Sequence, residues 1–319
     1  MSDQPVLNVV LGTGALGRAV VRHLSSRGAR VRVVGRRTTA DSRGVEFMAA
    51  DVAEPSEARR ACAGAAVVYH CASPPYHLWP KLHPPLMAAI IDGAAAAGAR
   101  LVFGDNLYAY GPVNGPVNEA LPSNAAGPNG RTRAKITAML LDAHEQGLLR
   151  AAIGRGSDFF GPYAQQSIVG DSVFARALAG KPAQLLGDPD LPHSVTYIDD
   201  FGRALVTLGE RDEALGGVWH VPNAPTTSLR RFVEMVFADL DWPARVQVPP
   251  RLAVMVLAVF NPTLRAVTEQ LYQVDRPWIV DSTKFERAFG WRATPLQDAI
   301  RSTVAWFQKG ARADNRPRA

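Results

Sequence analysis

The stretch Val6-Leu7-Asn8-Val9-Val10-Leu11-Gly12-Thr13-Gly14-Ala15-Leu16-Gly17-Arg18, followed after a helical interval by Val31-Arg32-Val33-Val34-Gly35-Arg36-Arg37, decides how this chain folds. An apolar run enters a G-x-G-x-x-G turn, residues 19–26 have a helical pattern, and a second apolar run follows. Alone, this glycine spacing says little; between a strand and a helix it marks a dinucleotide-binding turn. Gly12 permits the tight turn, Gly14 lets the backbone approach a pyrophosphate, Gly17 lets the helix pack closely, and Leu16 lies on the same turn. The N–H groups of the first helical turn then face the phosphates. A chain that reads the ribose hydroxyls of NAD places Asp or Glu about 20 residues after the motif begins. Here Arg36 and Arg37 stand there, and their charge favours a 2′-phosphate. The stretch predicts an NADP(H) site.

A chain of 319 residues, 47% of them hydrophobic, suits one large α/β domain with a smaller appendage. The formal charge is +6, but the basic residues are scattered and form no stripe interleaved with stacking aromatics. A small-molecule substrate is therefore expected, and no nucleic acid. Two cysteines, Cys62 and Cys71, imply no disulfide framework, and no His/Cys spacing implies a metal. The longest apolar run, residues 252–260, is far below the ~20 residues that cross a bilayer. The sequence opens directly into its first strand. A cytoplasmic protein without a membrane partner, monomer or homodimer, is the expectation.

Apolar strand-like runs at residues 45–49, 65–70, 100–103 and 149–153 alternate with helical patterns at 55–61, 82–98 and 129–147. This alternation predicts an α/β fold with a doubly wound parallel Rossmann sheet, ligands lying at the carboxyl ends of its strands. Past Arg155, loops rich in Gly and Pro surround a helix near residues 171–179, and a strand is expected at 217–221. Helices at 229–240, 251–260, 262–272 and 296–309 compose a smaller, mostly helical C-terminal substrate lobe, expected to close over the strand ends. The predicted division is residues 1–162 and 193–225 for the Rossmann domain, 163–192 and 226–310 for the substrate lobe, and 311–319 for a frayed tail.

These features resemble the extended short-chain dehydrogenase/reductases, the NAD-dependent epimerase/dehydratase superfamily, over about the first 225 residues. Asp51-Val52 matches the pair that holds adenine, and His70-Cys71-Ala72 the strand segment beside the cofactor. Tyr110-Gly111 matches the Tyr-Gly after strand five, and Lys135 the lysine of Tyr-x-x-x-Lys. Gly161-Pro162 matches a loop lining the substrate site, and Tyr197-Ile198-Asp199-Asp200 the segment joining the lobes. Three positions depart from the pattern. Leu11 replaces the first glycine of the usual spacing, Arg131 stands four before Lys135 where the catalytic tyrosine belongs, and Asn106 stands at the serine position.

In the family mechanism the tyrosine exchanges a proton as hydride moves, the lysine lowers the phenol's pKa and binds ribose, and serine holds the substrate oxygen. Arginine, with a pKa above ~12, cannot exchange protons near neutrality. Arg131 could instead stabilise an oxyanion or clamp a carboxylate, or be a surface arginine in a shifted alignment. Asn106 keeps a donor for the substrate oxygen, and Lys135 keeps a ribose contact. In an extended chain Asn106, Tyr108 and Tyr110 share one side. Tyr108 is thus a candidate for a relocated phenol or for an aromatic wall, and Tyr163 is a weaker candidate. Ser73, Tyr76, Tyr110, Phe160, Tyr163 and His193 are expected substrate contacts, and the aromatics of residues 71–85 favour an apolar or planar molecule. Three functions remain open: an NADP(H)-dependent oxidoreductase acting on a carbonyl or activated alkene, a non-redox isomerase, epimerase or lyase on an NADP-bound scaffold, and a catalytically silent NADP-sensing module.

Overall fold

The computed structural model describes residues 6–36, 44–125 and 127–314, with side chains as far as residue 310. Arg37 and the end of the expected tail lie outside the described residues.

The first of two compact units comprises Met1–Gly111, Glu119–Gly156 and Phe201–Val221. Its strands are β1 (Leu7–Leu11), β2 (Arg30–Gly35), β3 (Val45–Ala49), β4 (Ala65–His70), β5 (Arg100–Asn106) and β6 (Arg150–Gly156), with Val218–His220 at one edge. Its helices are α1 (Ala15–Ser26), α2 (Pro55–Cys62), α3 (Trp79–Ala96) and α4 (Pro128–Glu145), with the later Ile198–Glu210 starting in the second unit and running into this one. The sheet runs Val218–His220, β6, β5, β4, β1, β2, β3, and every neighbouring pair is parallel. All five residues of β1 are buried, as a strand covered on both faces requires. The core joins Val9, Leu11, Val68, Ile90, Leu101, Phe103, Ile136, Leu140 and Ile153. Strand order reverses between β1 and β4, where Leu11 lies beside His70. In doubly wound sheets that reversal opens the ligand crevice at the carboxyl ends of the strands.

α3 begins at Trp79, three residues earlier than the sequence pattern indicates. Pro80 sits in its first turn, where a missing N–H costs nothing. Pro84 and Pro85 lie inside the helix and deprive it of two backbone donors.

The second unit comprises Pro112–Asn118, Ser157–Asp200 and Pro222–Ala319. Phe160, Phe174, Phe232, Phe237 and Phe307 belong to its core, and its helices include Leu229–Ala238, Arg251–Phe260, Pro262–Thr268, Thr283–Phe289 and Leu296–Asp314. Ser228 caps the first of these by accepting the Arg231 N–H (3.1 Å), and Asn261 caps Pro262–Thr268 through the Leu264 N–H (3.0 Å). The division differs from the expected one at residues 112–118, 157–162, 193–200 and 222–225, all expected in the Rossmann domain and found in the second unit. The short parallel strands Asp158–Phe160 and Val195–Tyr197 pair with one another. The Ser157 hydroxyl donates to the Ser194 carbonyl (2.8 Å), and the Ser157 N–H donates to Thr196 Oγ1 (2.8 Å). These bonds keep the two segments together in the second unit.

Candidate active site

The glycine turn follows directly from β1. The Gly12 N–H donates to the Val34 carbonyl of β2 (2.9 Å), and the Cys71 N–H donates to the Leu11 carbonyl (2.9 Å). Gly12 has φ +110°, and a Cβ there would stand 2.8 Å from the Ala72 nitrogen. A Cβ at Gly17 would collide with the Gly12 carbonyl. Gly17 therefore serves the closure of the turn on its own helix, not helix–sheet packing as the sequence motif implies. A Cβ at Gly14, by contrast, would meet nothing within 4 Å. Of the three glycines, only the one assigned to the pyrophosphate faces open space, so the turn fits a dinucleotide.

Gly14 is also the N-cap of α1, which has no side-chain cap and no acid in its first turn. Arg18 folds back on the turn, its Nε donating to the Thr13 carbonyl (3.1 Å). Arg36 is exposed, two residues beyond the Val34 that the turn bonds. Leu16 packs against Gly104 of β5. Asp51 is exposed, with its carboxylate accepting the Ala53 N–H (3.2 Å), and Val52 is buried. Cys71 is half-buried, and burial pushes its thiol pKa upward.

α4 turns differently from the expected register. Its buried residues include Asn129, Gly130, Thr132, Arg133, Ile136, Thr137 and Leu140, while Arg131 and Lys135 are exposed. Arg131 therefore does not face the interior with Lys135 one turn on. Asn129 and Arg133 hold the same four-residue spacing on the buried face, two residues earlier. The Arg133 guanidinium bonds Asp105 (3.2 Å) and lies 4.0 Å over the Trp79 ring. Arg155 also bonds Asp105 (3.0 Å), and its guanidinium donates to Thr137 Oγ1 (3.0 Å). One buried carboxylate thus serves two buried guanidinium groups. Burial works against the Arg155 charge, but Asp105 and Tyr110 outweigh it and its pKa ends raised. For Arg133 burial prevails and lowers the pKa, with Asp105, Tyr108 and Tyr76 opposing.

The chain is not extended past β5. Asn106 Oδ1 accepts the Tyr108 N–H (3.1 Å), and Tyr108–Tyr110 forms a single 3-10 turn. The two tyrosines separate as a result. Tyr110 is buried with its hydroxyl bonded to His220 Nε2 (2.8 Å), so it is an interior residue and not a substrate contact. Tyr108 is half-buried, with Tyr76 (6.3 Å) and Trp79 (6.0 Å) as ring neighbours. Ser73 is exposed and lies 3.5 Å from His83 Nε2. His83 sits inside α3 and is fully buried, which drives its pKa down. His70 stacks on Phe103 (4.9 Å), and burial, then Arg133, hold its pKa at about 3. Among the described residues neither of its ring nitrogens has a hydrogen-bond partner.

The remaining expected contacts belong to the second unit. Phe160 is buried among Phe174, Tyr197 and Phe232 and is a core residue. His193 is also buried, with Nδ1 3.1 Å from the Gln273 carbonyl and Nε2 2.9 Å from Asp158. Both its nitrogens are engaged in structure. Tyr163 is 42% exposed, packs its ring at a tilt against Trp306 (4.9 Å) and holds φ +67°, a costly value for a residue with a Cβ.

The sequence profile of the NAD dependent epimerase/dehydratase family matches residues 9–221, and the chain belongs to that family. It is 26% identical over 298 residues to 3beta-hydroxysteroid-dehydrogenase/decarboxylase isoform 2 of Arabidopsis thaliana, an alignment covering 82% of this chain and 52% of that protein. The chain thus spans about half the length of that relative. To the sterol-4-alpha-carboxylate 3-dehydrogenase, decarboxylating, of Mus musculus it is 24% identical over 328 residues, covering 94% and 90% of the two chains. The solved dTDP-glucose 4,6-dehydratase of Bacillus anthracis, in complex with NAD, matches with a TM-score of 0.77 at 15% identity over 96% of this chain and 98% of that one. That likeness is one of fold.

Proposed function

We propose that this protein is an NADP(H)-dependent oxidoreductase that acts on a carbonyl or activated alkene of a small, partly apolar molecule. In this reading Tyr108 and Arg133 provide the phenol and the cation. The observation that carries it is the buried guanidinium of Arg133, which lies 4.0 Å over the Trp79 ring, itself a ring neighbour of Tyr108 (6.0 Å) and Tyr76 (4.6 Å). A fixed cation beside a phenol favours the phenolate. The family's lysine does the same to its tyrosine. Asn129 occupies the tyrosine's place on the buried face and has no proton to exchange near neutrality, so the phenol has to come from elsewhere.

A bound nicotinamide dinucleotide would supply the two-electron exchange. The N–H groups of α1, with Gly14 before them, hold its pyrophosphate, and Arg36 takes the 2′-phosphate. Asn106, fixed by its bond to the Tyr108 N–H, offers its amide to the substrate oxygen. Tyr76 and Tyr108 supply apolar contact area, and the hydroxysteroid and sterol-carboxylate dehydrogenases among the relatives support an apolar substrate.

The test is turnover of apolar ketones, enones and alcohols with NADPH or NADP⁺, followed by nicotinamide absorbance. Tyr108→Phe should lose about 10²–10⁴-fold in rate, the usual contribution of a general acid or base. Arg131→Ala and Lys135→Ala should stay within about twofold of the parent, as surface changes do. Full activity in Tyr108→Phe would overturn the assignment. Isomerisation of a bound molecule without net absorbance change would favour the non-redox reading.

A further inference from the structure

The ten-residue helix Arg251–Phe260 buries only Val254 and Ala258. Leu252, Met255, Val256, Val259 and Phe260 follow the i, i+3, i+4, i+7, i+8 spacing that ordinarily faces a core. Here they face solvent, Leu252 76% and Phe260 83% exposed. Single exposed apolar residues are normal on a protein surface, but five on one helical face mark a contact surface.

Within the segment that carries this face the charge has one sign, and the nearest acids, Asp241 and Glu269, lie just beyond its ends. Between residues 242 and 268 the only ionisable side chains are Arg245, Arg251 and Arg265, with no Asp or Glu. Arg251 and Arg265 are exposed, and Arg251 reaches outside the segment to Asp275 (2.9 Å). Among the described residues no helix is long and apolar enough to cross a membrane. A helix lying in the plane of the interface needs no such length, only an apolar face and basic flanks.

We propose that Arg251–Phe260 docks this protein on an anionic lipid surface, with the Leu252, Met255, Val256, Val259 and Phe260 face among the acyl chains and Arg251 and Arg265 at the level of the lipid phosphates. A second copy of the chain fits the face less well. A two-fold contact sets the same patch against itself, and residues 242–268 carry three arginines and no acid to meet them across it, Asp275 being already paired with Arg251.

The full chain is sedimented with phosphatidylcholine vesicles, with and without phosphatidylserine. Binding should require phosphatidylserine and fall roughly tenfold or more in high salt. Val256→Glu with Phe260→Glu should reduce binding by a similar factor. Dinucleotide affinity, measured on the same double variant by calorimetry, should match the parent and show that the fold is intact. Three results would overturn the proposal: no sedimentation with either vesicle, undiminished binding by the double variant, or a parent dimer in the ultracentrifuge that the double variant converts to monomer. The last would make this face a site of self-association.

Discussion

Asp105 is the residue on which most of the interior chemistry converges. It is buried and bonded to Arg133 and Arg155, so removing its charge leaves two guanidinium groups without a counter-ion. Breaking a buried ion pair in this way costs about 3–5 kcal/mol. Asp105→Asn should therefore lower the urea midpoint by that equivalent, and an unchanged midpoint would show the network to be dispensable. His70 sets a second expectation. Its pKa lies at about 3 in the fold, below the ordinary value near 6.5, so the unfolded chain binds the proton first. Stability should decline as pH falls below about 6.5 and go on declining toward pH 3, by a few kcal/mol in all. His83 is shifted in the same direction and adds to the slope. His70→Phe should make denaturation midpoints less dependent on pH over that range, and an unaltered slope would locate the effect elsewhere. In the proposed function Arg133 acts on rate: Arg133→Leu should slow turnover by removing the cation near Tyr108, and an unchanged rate would count against that role.

At the scale of elements, the glycine turn makes a sharp distinction. Gly17→Ala drives a methyl into the Gly12 carbonyl, whereas Gly14→Ala enters open space. The first should cost about 1–3 kcal/mol in thermal denaturation, the range for overpacking. The second should leave stability nearly unaltered and weaken dinucleotide binding. Equal stability loss in both would contradict the assignment of Gly14 to the ligand. The βα alternation and the strand bounds of β3 and β4 were legible because buried parallel strands are short apolar runs bounded by turns. The register of α4 was legible too, but by a different signal. Ile136 and Leu140 share a helical face with Arg133 and Asn129, whereas Arg131 and Lys135 fall on the exposed side. The family spacing that ends at Lys135 runs against that periodicity. The 3-10 turn at Tyr108–Tyr110 was not legible, since it depends on Asn106 bonding the chain two residues on. Nothing in the local pattern showed that Tyr110 would meet His220, 110 positions away.

For the molecule as a whole, the expected parallel sheet with a mostly helical C-terminal part is what the chain forms. Phe160 and His193 show the limit of reading sites from motif neighbourhoods, because both are taken up by the second unit's own core and strand pairing. A cofactor held by the first unit should stabilise the chain by mass action, about 2.7 kcal/mol at a hundredfold excess over Kd. NADP⁺ should therefore raise the melting temperature more than NAD⁺ at equal concentration. The most direct test is calorimetric titration of the protein with NADP⁺ and with NAD⁺. NADP⁺ should bind more tightly by roughly 1.5–3 kcal/mol, the worth of a charge-assisted hydrogen bond, and Arg36→Asp should abolish the difference. Equal affinity for the two dinucleotides, or tighter binding of NAD⁺, would contradict the NADP(H) assignment.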